Sequence, residues 1–171
     1  MSPPPKATRV RFVVLTLLVL HYANTYVDRV CIAAVAPAIQ ADLGLDTVSM
    51  GLVFATFSIS YSLFQVPSGL LADRFGPRRV LTLTVLFWSA FTISTAAAWN
   101  RLSLLAIRFL FGIGEAGAFP TATRAIAGWF APAERGFVQG ITHTGARLGG
   151  ALTPPLVALA AATWGLRVHF I

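Results

Sequence analysis

Long uncharged stretches alternate along this chain with short clusters of charge, and that spacing predicts a series of membrane-crossing helices. A bilayer core takes about 20 apolar residues per helix. Thr47 to Ala72 carries no charge between Asp46 and Asp73, and Val80 to Asn100 carries none between Arg79 and Arg101. Each suffices for one crossing. Phe12 to Val27 is uncharged but short, and Asp28 and Arg29 follow it. Ending a helix there would leave VCIAAVAPAIQ as an apolar loop in water, so the helix is expected to run on to about Pro37 with both charges inside. A fourth span, from Leu102 to about Thr123, holds Arg108 and Glu115, and a fifth, from Phe137 to about Thr163, holds Arg147. Arg167-Val-His-Phe-Ile leads into a sixth. The expected fold is an all-α membrane protein with spans at about 12–37, 47–72, 80–100, 102–123 and 137–163. Residues 1–11 form a cytoplasmic tail, of which SPPP reads as disordered. A cleaved signal peptide over Lys6 to Leu20 fits less well, because hydrophobic helical sequence resumes directly after Arg29.

Composition supports lipid as the solvent. The hydrophobic set makes up 56% of the 171 residues and charged residues 11%, where a soluble domain has about 25% charged. The net charge of +7 does not point to nucleic acid, since Lys and Arg sit between apolar runs rather than on a basic face interleaved with aromatics. Their placement sets orientation instead. With the N-terminus in the cytoplasm, Lys6, Arg9, Arg11, Arg74, Arg78, Arg79, Arg124 and Arg135 fall inside, and only Arg101 and Arg167 fall outside. Trp99, Trp129 and Trp164 land at predicted interfaces. We expect a multi-pass protein of a plasma (bacterial inner) membrane. The single cysteine, Cys31, excludes an internal disulfide and reads as a small core residue. His21, His143 and His169 have no metal-ligand spacing. No nucleophile–base pair or metal cluster suggests an enzyme, and no cofactor is expected.

Five ionisable residues then stand out, because each costs about 2.5–3.5 kcal/mol at the centre of a span. They are Asp28, Arg29, Arg108, Glu115 and Arg147. Arg108 and Glu115 are two turns apart on one helix face, which cannot look at lipid. One reading makes these residues buried ion pairs that fix helix register. The other makes them the wall of a wet cavity, where Arg holds an anion with its planar fork and a carboxylate takes up and releases a proton. Gly136 with Gly140, and Gly145 with Gly149, are spaced for close helix packing on the fifth span. Gly112, Gly114, Gly117 and Pro120 predict a bend in the fourth near Glu115.

The stretch Gly69-Leu-Leu-Ala-Asp73-Arg74-Phe-Gly76-Pro77-Arg78-Arg79 resembles the cytoplasmic signature loop of the major facilitator superfamily, with Pro77 at a position where that pattern has a basic residue. Asp73 there would cap a helix or pair with an Arg across the domain interface. Tyr26-Val-Asp28-Arg29, Arg108-Phe-Leu-Phe-Gly112-Ile-Gly114-Glu115-Ala116 with Pro120, and Trp129-Phe-Ala-Pro-Ala-Glu134-Arg135-Gly136 resemble the anion:cation symporter branch. That resemblance implies Arg29 and Arg108 as substrate contacts with Tyr26 and Tyr61 beside them, and Asp28 and Glu115 as proton carriers. His143 and Arg147 share a face at i, i+4 near a position, Ala146 here, where some members carry an amide, and are expected as further substrate contacts. Each half of that fold is an inverted pair of three-helix repeats, which makes the first and fourth helices equivalent; both carry an acid and an arginine here.

The resemblance further implies a gating loop of Gly69, Asp73, Arg74, Gly76, Arg78 and Arg79, and proton-coupled uptake of a sugar acid or other carboxylate by alternating access. It covers the N-terminal half of such a fold, so a missing C-terminal six-helix domain and a truncated chain are expected. The competing expectations are an exporter or drug antiporter and a membrane fragment without transport of its own.

Overall fold

The structure, a computed structural model, describes residues 9–164, with side chains to residue 159; the lead into a sixth span lies outside them. Six helices follow one another: α1 Val10–Leu43, α2 Thr47–Phe75, α3 Pro77–Thr95, α4 Arg101–Glu115, α5 Ala118–Trp129 and α6 Pro132–Trp164. A turn at Ala116–Gly117 separates α4 from α5, so the two make one broken span, bent where the small residues and Pro120 predict it. Five membrane segments result. By length and composition, α1, α2 and the combined Arg101–Trp129 segment are long and apolar enough to cross a bilayer.

The helices outrun several of the expected bounds, for identifiable reasons. Pro37 lies inside α1, which ends only where Gly44 turns left-handed at φ 62° and donates its N–H to the Gln40 carbonyl. The Asp46 carboxylate accepts from the Ser49 N–H at 2.9 Å and starts α2; these Ser49 hydrogen bonds hold the exposed carboxyl below its usual range. Only Gly76, at φ 84°, separates α2 from α3, whose first residue is Pro77. The signature stretch is therefore mostly helix rather than loop. Asn100 and Ser103 form a reciprocal capping box at the start of α4. At the far end of α5, the Arg135 guanidinium donates to the carbonyls of Ala127 at 2.9 Å and Phe130 at 3.1 Å. That satisfies groups a helix end leaves open and starts α6 at Pro132, five residues before the expected Phe137.

Packing follows the two-repeat pattern. α1 lies along α6, and α4 lies along α2 and α3. A methyl on Gly149 would meet the Ala23 carbonyl oxygen at 2.6 Å, and one on Gly145 the Val19 side chain at 2.6 Å, so this glycine pair sets the α1–α6 approach. Gly112 plays the same part for α4 against Ser60 and the Phe57 carbonyl of α2, and Gly114 against Phe87 and Trp88 of α3. Gly136 and Gly140 have nothing within 4 Å of an added methyl; the first of the two expected glycine pairs makes no helix contact among the described residues.

Two ion pairs gather at one end of the bundle. Arg11 Nη1 reaches Glu134 Oε1 at 3.1 Å, tying the start of α1 to the start of α6. Arg124 Nε reaches Asp73 Oδ1 at 2.8 Å. Asp73 thus has an ion-pair partner on α5. The outward faces carry Leu63, Val66, Leu70, Leu83, Leu86, Leu152 and Leu156, all exposed.

Candidate functional site

Asp28 and Arg29 sit at the middle of α1, and as neighbours on a helix they point about 100° apart. They serve different walls. Arg29 turns toward α2 and the α4–α5 break, where its Nε donates to Glu115 Oε1 at 2.8 Å. The guanidinium is caged by aromatic rings: the Tyr61 centroid lies 4.4 Å away, Phe57 5.3 Å, Phe119 5.7 Å and Tyr26 5.8 Å. Such contacts hold a cation in place without neutralising it. Glu115 ends α4 and is 1% exposed in its side chain. The pair leaves capacity unused, since Arg29 Nη2 and Glu115 Oε2 are both buried without a partner.

Arg108, two turns earlier on α4, is buried at 5% exposure. Its Nη2 donates weakly to Thr95 Oγ1 at 3.4 Å, its carbon lies 5.0 Å from the Phe111 centroid, and its Nε has no partner. Two cavities flank it. The larger, about 360 Å³, runs between α1, α3 and α4 and is lined by Asn24, Asp28, Cys31, Trp88, Thr92 and Arg108, among others. The smaller, about 220 Å³, is lined by Arg29, Phe57, Ser58, Arg108 and apolar neighbours. Asp28 faces Arg108 across the larger cavity and accepts a long 3.5 Å contact from Asn24. The charges of the two helices are therefore crossed: Arg29 of α1 binds Glu115 of α4, and Arg108 of α4 looks at Asp28 of α1.

Several expected residues meet here, though not as one group. Arg108 and Glu115 share the buried face of α4 but engage different partners. Tyr26 and Tyr61 flank Arg29 and not Arg108. Neither His143 nor Arg147 lines either cavity. His143 stacks on Phe119, with centroids 6.0 Å apart and planes 10° apart, and meets Tyr22 edge-on at 5.3 Å. Arg147, one turn on, places its carbon 5.9 Å from the Tyr26 centroid. Cys31 is half-buried on a cavity wall and is not a core residue. Of the signature stretch, Arg74 lies over its neighbour Phe75 at 5.4 Å, while Arg78 and Arg79 are exposed on the first turn of α3 and Gly69 faces Pro120.

Sequence reasoning missed Gln139. Its amide donates to the Tyr22 hydroxyl at 3.1 Å and to Thr123 Oγ1 at 3.4 Å, and lies 3.3 Å from His143 Nε2. The signal was present, because an amide one turn before His143 in an apolar span needs polar company. Phe57 and Phe119 left no such signal; an apolar ring in a lipid-soluble helix reads as core until a cation is found over it.

The Major Facilitator Superfamily model matches residues 17–171. The chain is 48% identical over 163 residues to a protein of Cupriavidus necator described as "Probable sulfoacetate transporter SauU", covering 95% of this chain and 38% of that protein. It is 38% identical to the "Hexuronate transporter" of Bacillus subtilis, covering 92% of this chain and 37% of that one. The "Probable galactarate/D-glucarate transporter GudP" of Bacillus subtilis is 34% identical and is covered over 39% of its length. The chain thus spans under two fifths of these relatives. A crystal structure of a bacterial homolog to the human lysosomal transporter Spinster, inward-facing and unoccupied, superimposes with a TM-score of 0.81 at 27% identity, covering 93% of this chain and 36% of that one. With the family model matching nearly the whole chain and the helices laid out as the N-terminal half of that transporter fold, the chain belongs to the Major Facilitator Superfamily.

Proposed function

We propose that this chain is the N-terminal half of a transporter that takes up a small organic anion together with protons by alternating access, in a plasma membrane and with its N-terminus cytoplasmic. The family is one of transporters and not of enzymes. The relatives are named for sulfoacetate, hexuronate and galactarate or glucarate, and a carboxylate is common to all of these. A C-terminal six-helix half would supply the opposite wall of the cavity and complete the cytoplasmic gate, whose side in this half is the Asp73–Arg124 pair with Gly69, Arg74, Gly76, Arg78 and Arg79.

One observation carries the reading: Glu115 is buried, its partner Arg29 is part-buried, and the pair is unsaturated, with Arg29 Nη2 lacking a partner inside an aromatic cage. An incoming carboxylate takes the free face of the guanidinium in bidentate fashion and displaces Glu115. A proton then neutralises a carboxylate that would otherwise stay buried and unpaired. Binding of the anion and binding of the proton are joined through one side chain. Asp28 and Arg108 repeat the arrangement across the larger cavity. Arg108 borders both cavities, so its charge serves the anion from one side and Asp28 from the other.

The experiment is anion binding to the chain in lipid nanodiscs, with hexuronate, galactarate and sulfoacetate as probes. Arg108→Ala is expected to weaken binding about 10- to 100-fold, the loss of a charge-assisted contact, with helix content retained. Arg108→Lys keeps the charge and loses the fork, and falls between. Undiminished binding in Arg108→Ala removes it from the site.

A further inference from the structure

We propose that His21 is a proton-relay residue that takes the proton of Asp28 toward the cytoplasmic end of α1; this rests on the proton-coupled reading above. Three observations carry it.

First, His21 is a titratable side chain inside a span that neither the anion nor the gate accounts for. It is half-buried, and its Nε2 is buried without a hydrogen-bond partner among the described residues. No carboxylate pairs with it there. A nitrogen left open in this way costs free energy, and a phenylalanine would fill the space without that cost. Second, His21 stands on the same face of α1 as Asp28. The row His21, Asn24, Asp28 advances by three and then four residues, the spacing that stacks side chains along one side of a helix. Asn24 and Asp28 both line the larger cavity, and the Asn24 amide donates to Asp28 at 3.5 Å. Third, one side chain of α3 touches both ends of the row. Trp88, 1% exposed, holds its ring 5.1 Å from the His21 ring, with the planes tilted by 33°, and its indole N–H donates to Asp28. The indole fixes where acid and imidazole stand, and its face favours a positive charge on the imidazole.

The surroundings single out His21 as the acceptor. Between Arg11 and Asp28, α1 carries His21 and two tyrosines as its titratable groups, and a neutral phenol takes up no proton near pH 7. One of these, Tyr22, meets the imidazole edge-on at 6.3 Å. α3 has no charged or titratable residue between Arg79 and Thr95. Arg108 of α4 faces Asp28, Glu115 holds Arg29, Arg124 of α5 pairs with Asp73, and His143 of α6 meets the ring of Tyr22. The larger cavity, lined by Asn24, Asp28, Thr92 and Arg108 among others, has room and polar partners for water. Seven residues of helix rise about 10.5 Å, which about three waters at hydrogen-bond spacing bridge. The proton leaves the Asp28 carboxyl through that water, past the Asn24 amide, and binds His21 Nε2. Asp28 is left as a carboxylate facing Arg108. The imidazolium then gives its proton to the cytoplasm and returns to the neutral form, which is the one able to accept.

The test uses the complete two-half transporter in vesicles, with sulfoacetate as solute. His21→Phe keeps a ring against Trp88 and removes the nitrogen. Uptake driven by a pH difference is expected to slow about 100-fold, the weight of one positioned proton acceptor. Counterflow exchange at equal pH is expected to stay as in the wild type, and so is the affinity of the 171-residue chain for sulfoacetate in nanodiscs. In His21→Ala, added imidazole is expected to restore part of the proton-driven uptake. A wild-type uptake rate in His21→Phe would show that the ring only packs, and overturns the relay. So does a loss of exchange in step with uptake, or a slow His21→Ala that imidazole leaves slow, since either marks a structural role. The anion reading stands in all three cases. A wild-type transporter that neither binds nor exchanges sulfoacetate, glucarate or hexuronate overturns the anion reading itself, and this inference with it.

Discussion

Arg29→Ala is expected to destabilise the chain by about 3–5 kcal/mol and to abolish anion binding. The two effects have different origins, and a second substitution separates them. Arg29 is the only cation within ion-pairing distance of Glu115 among the described residues, and that carboxylate is 1% exposed. Removing the guanidinium strands a buried charge, and most of the stability loss is that stranded carboxylate rather than the net worth of the pair. Arg29→Ala with Glu115→Gln should therefore recover most of the stability, since the amide carries no charge to strand. It should recover none of the binding, because the anion's partner is still gone. Unfolding of the single and double variants by denaturant, with sulfoacetate binding measured beside it, checks both halves. A double variant no more stable than Arg29→Ala alone would show that the aromatic cage, and not the ion pair, is what Arg29 holds together.

Glu115→Gln alone is expected to do the opposite: to bind the anion at least as well as the wild type and to lose the drive from protons. The amide no longer competes for Arg29 as an anion, so Nε and Nη2 are both free for the solute. It also has no proton to give up on either side of the membrane. In vesicles containing the complete two-half transporter, counterflow exchange of the anion should persist. Accumulation against a gradient should vanish, a loss of about tenfold per coupled proton for each unit of pH difference. Retained accumulation in Glu115→Gln would move proton coupling to Asp28, the other acid facing an arginine.

The difference between these two variants also shows what the sequence can and cannot display. Arg29, Arg108, Asp28 and Glu115 were legible as a set because their cost in a span is large and nothing apolar explains them. Which acid serves which arginine was not. The i, i+7 spacing of Arg108 and Glu115 describes one helix, whereas the contacts that matter run between α1 and α4, 86 residues apart for Arg29 and Glu115. The break at Ala116–Gly117 could be anticipated from three glycines and a proline, since small residues mark both bends and close approach. The glycine spacing on α6 was less informative. Gly136–Gly140 and Gly145–Gly149 are the same pattern in one dimension, and only the rotation of α6 against α1 decides that the second pair is buried and the first is open. Asp73 shows the same limit from another direction. Its motif predicted an ionic partner, and the partner turned out to be Arg124, which the basic-residue count had treated as an orientation marker alone.

Anion and proton binding in this half require water to reach the charged residues at the middle of the bundle. The native Cys31 lines the cavity between Asp28 and Arg108, and Ser58 lines the one between Arg29 and Arg108. The direct measurement is therefore thiol labelling in nanodiscs with a membrane-impermeant anionic reagent, on the wild type and on Ser58→Cys made in a Cys31→Ser background. Both thiols are expected to react, and saturating sulfoacetate is expected to slow the reaction at position 58 about tenfold or more, a weight of one charge-assisted contact. Two thiols that never react, with or without the anion, would mean that these charges are sealed ion pairs and that no solute meets them.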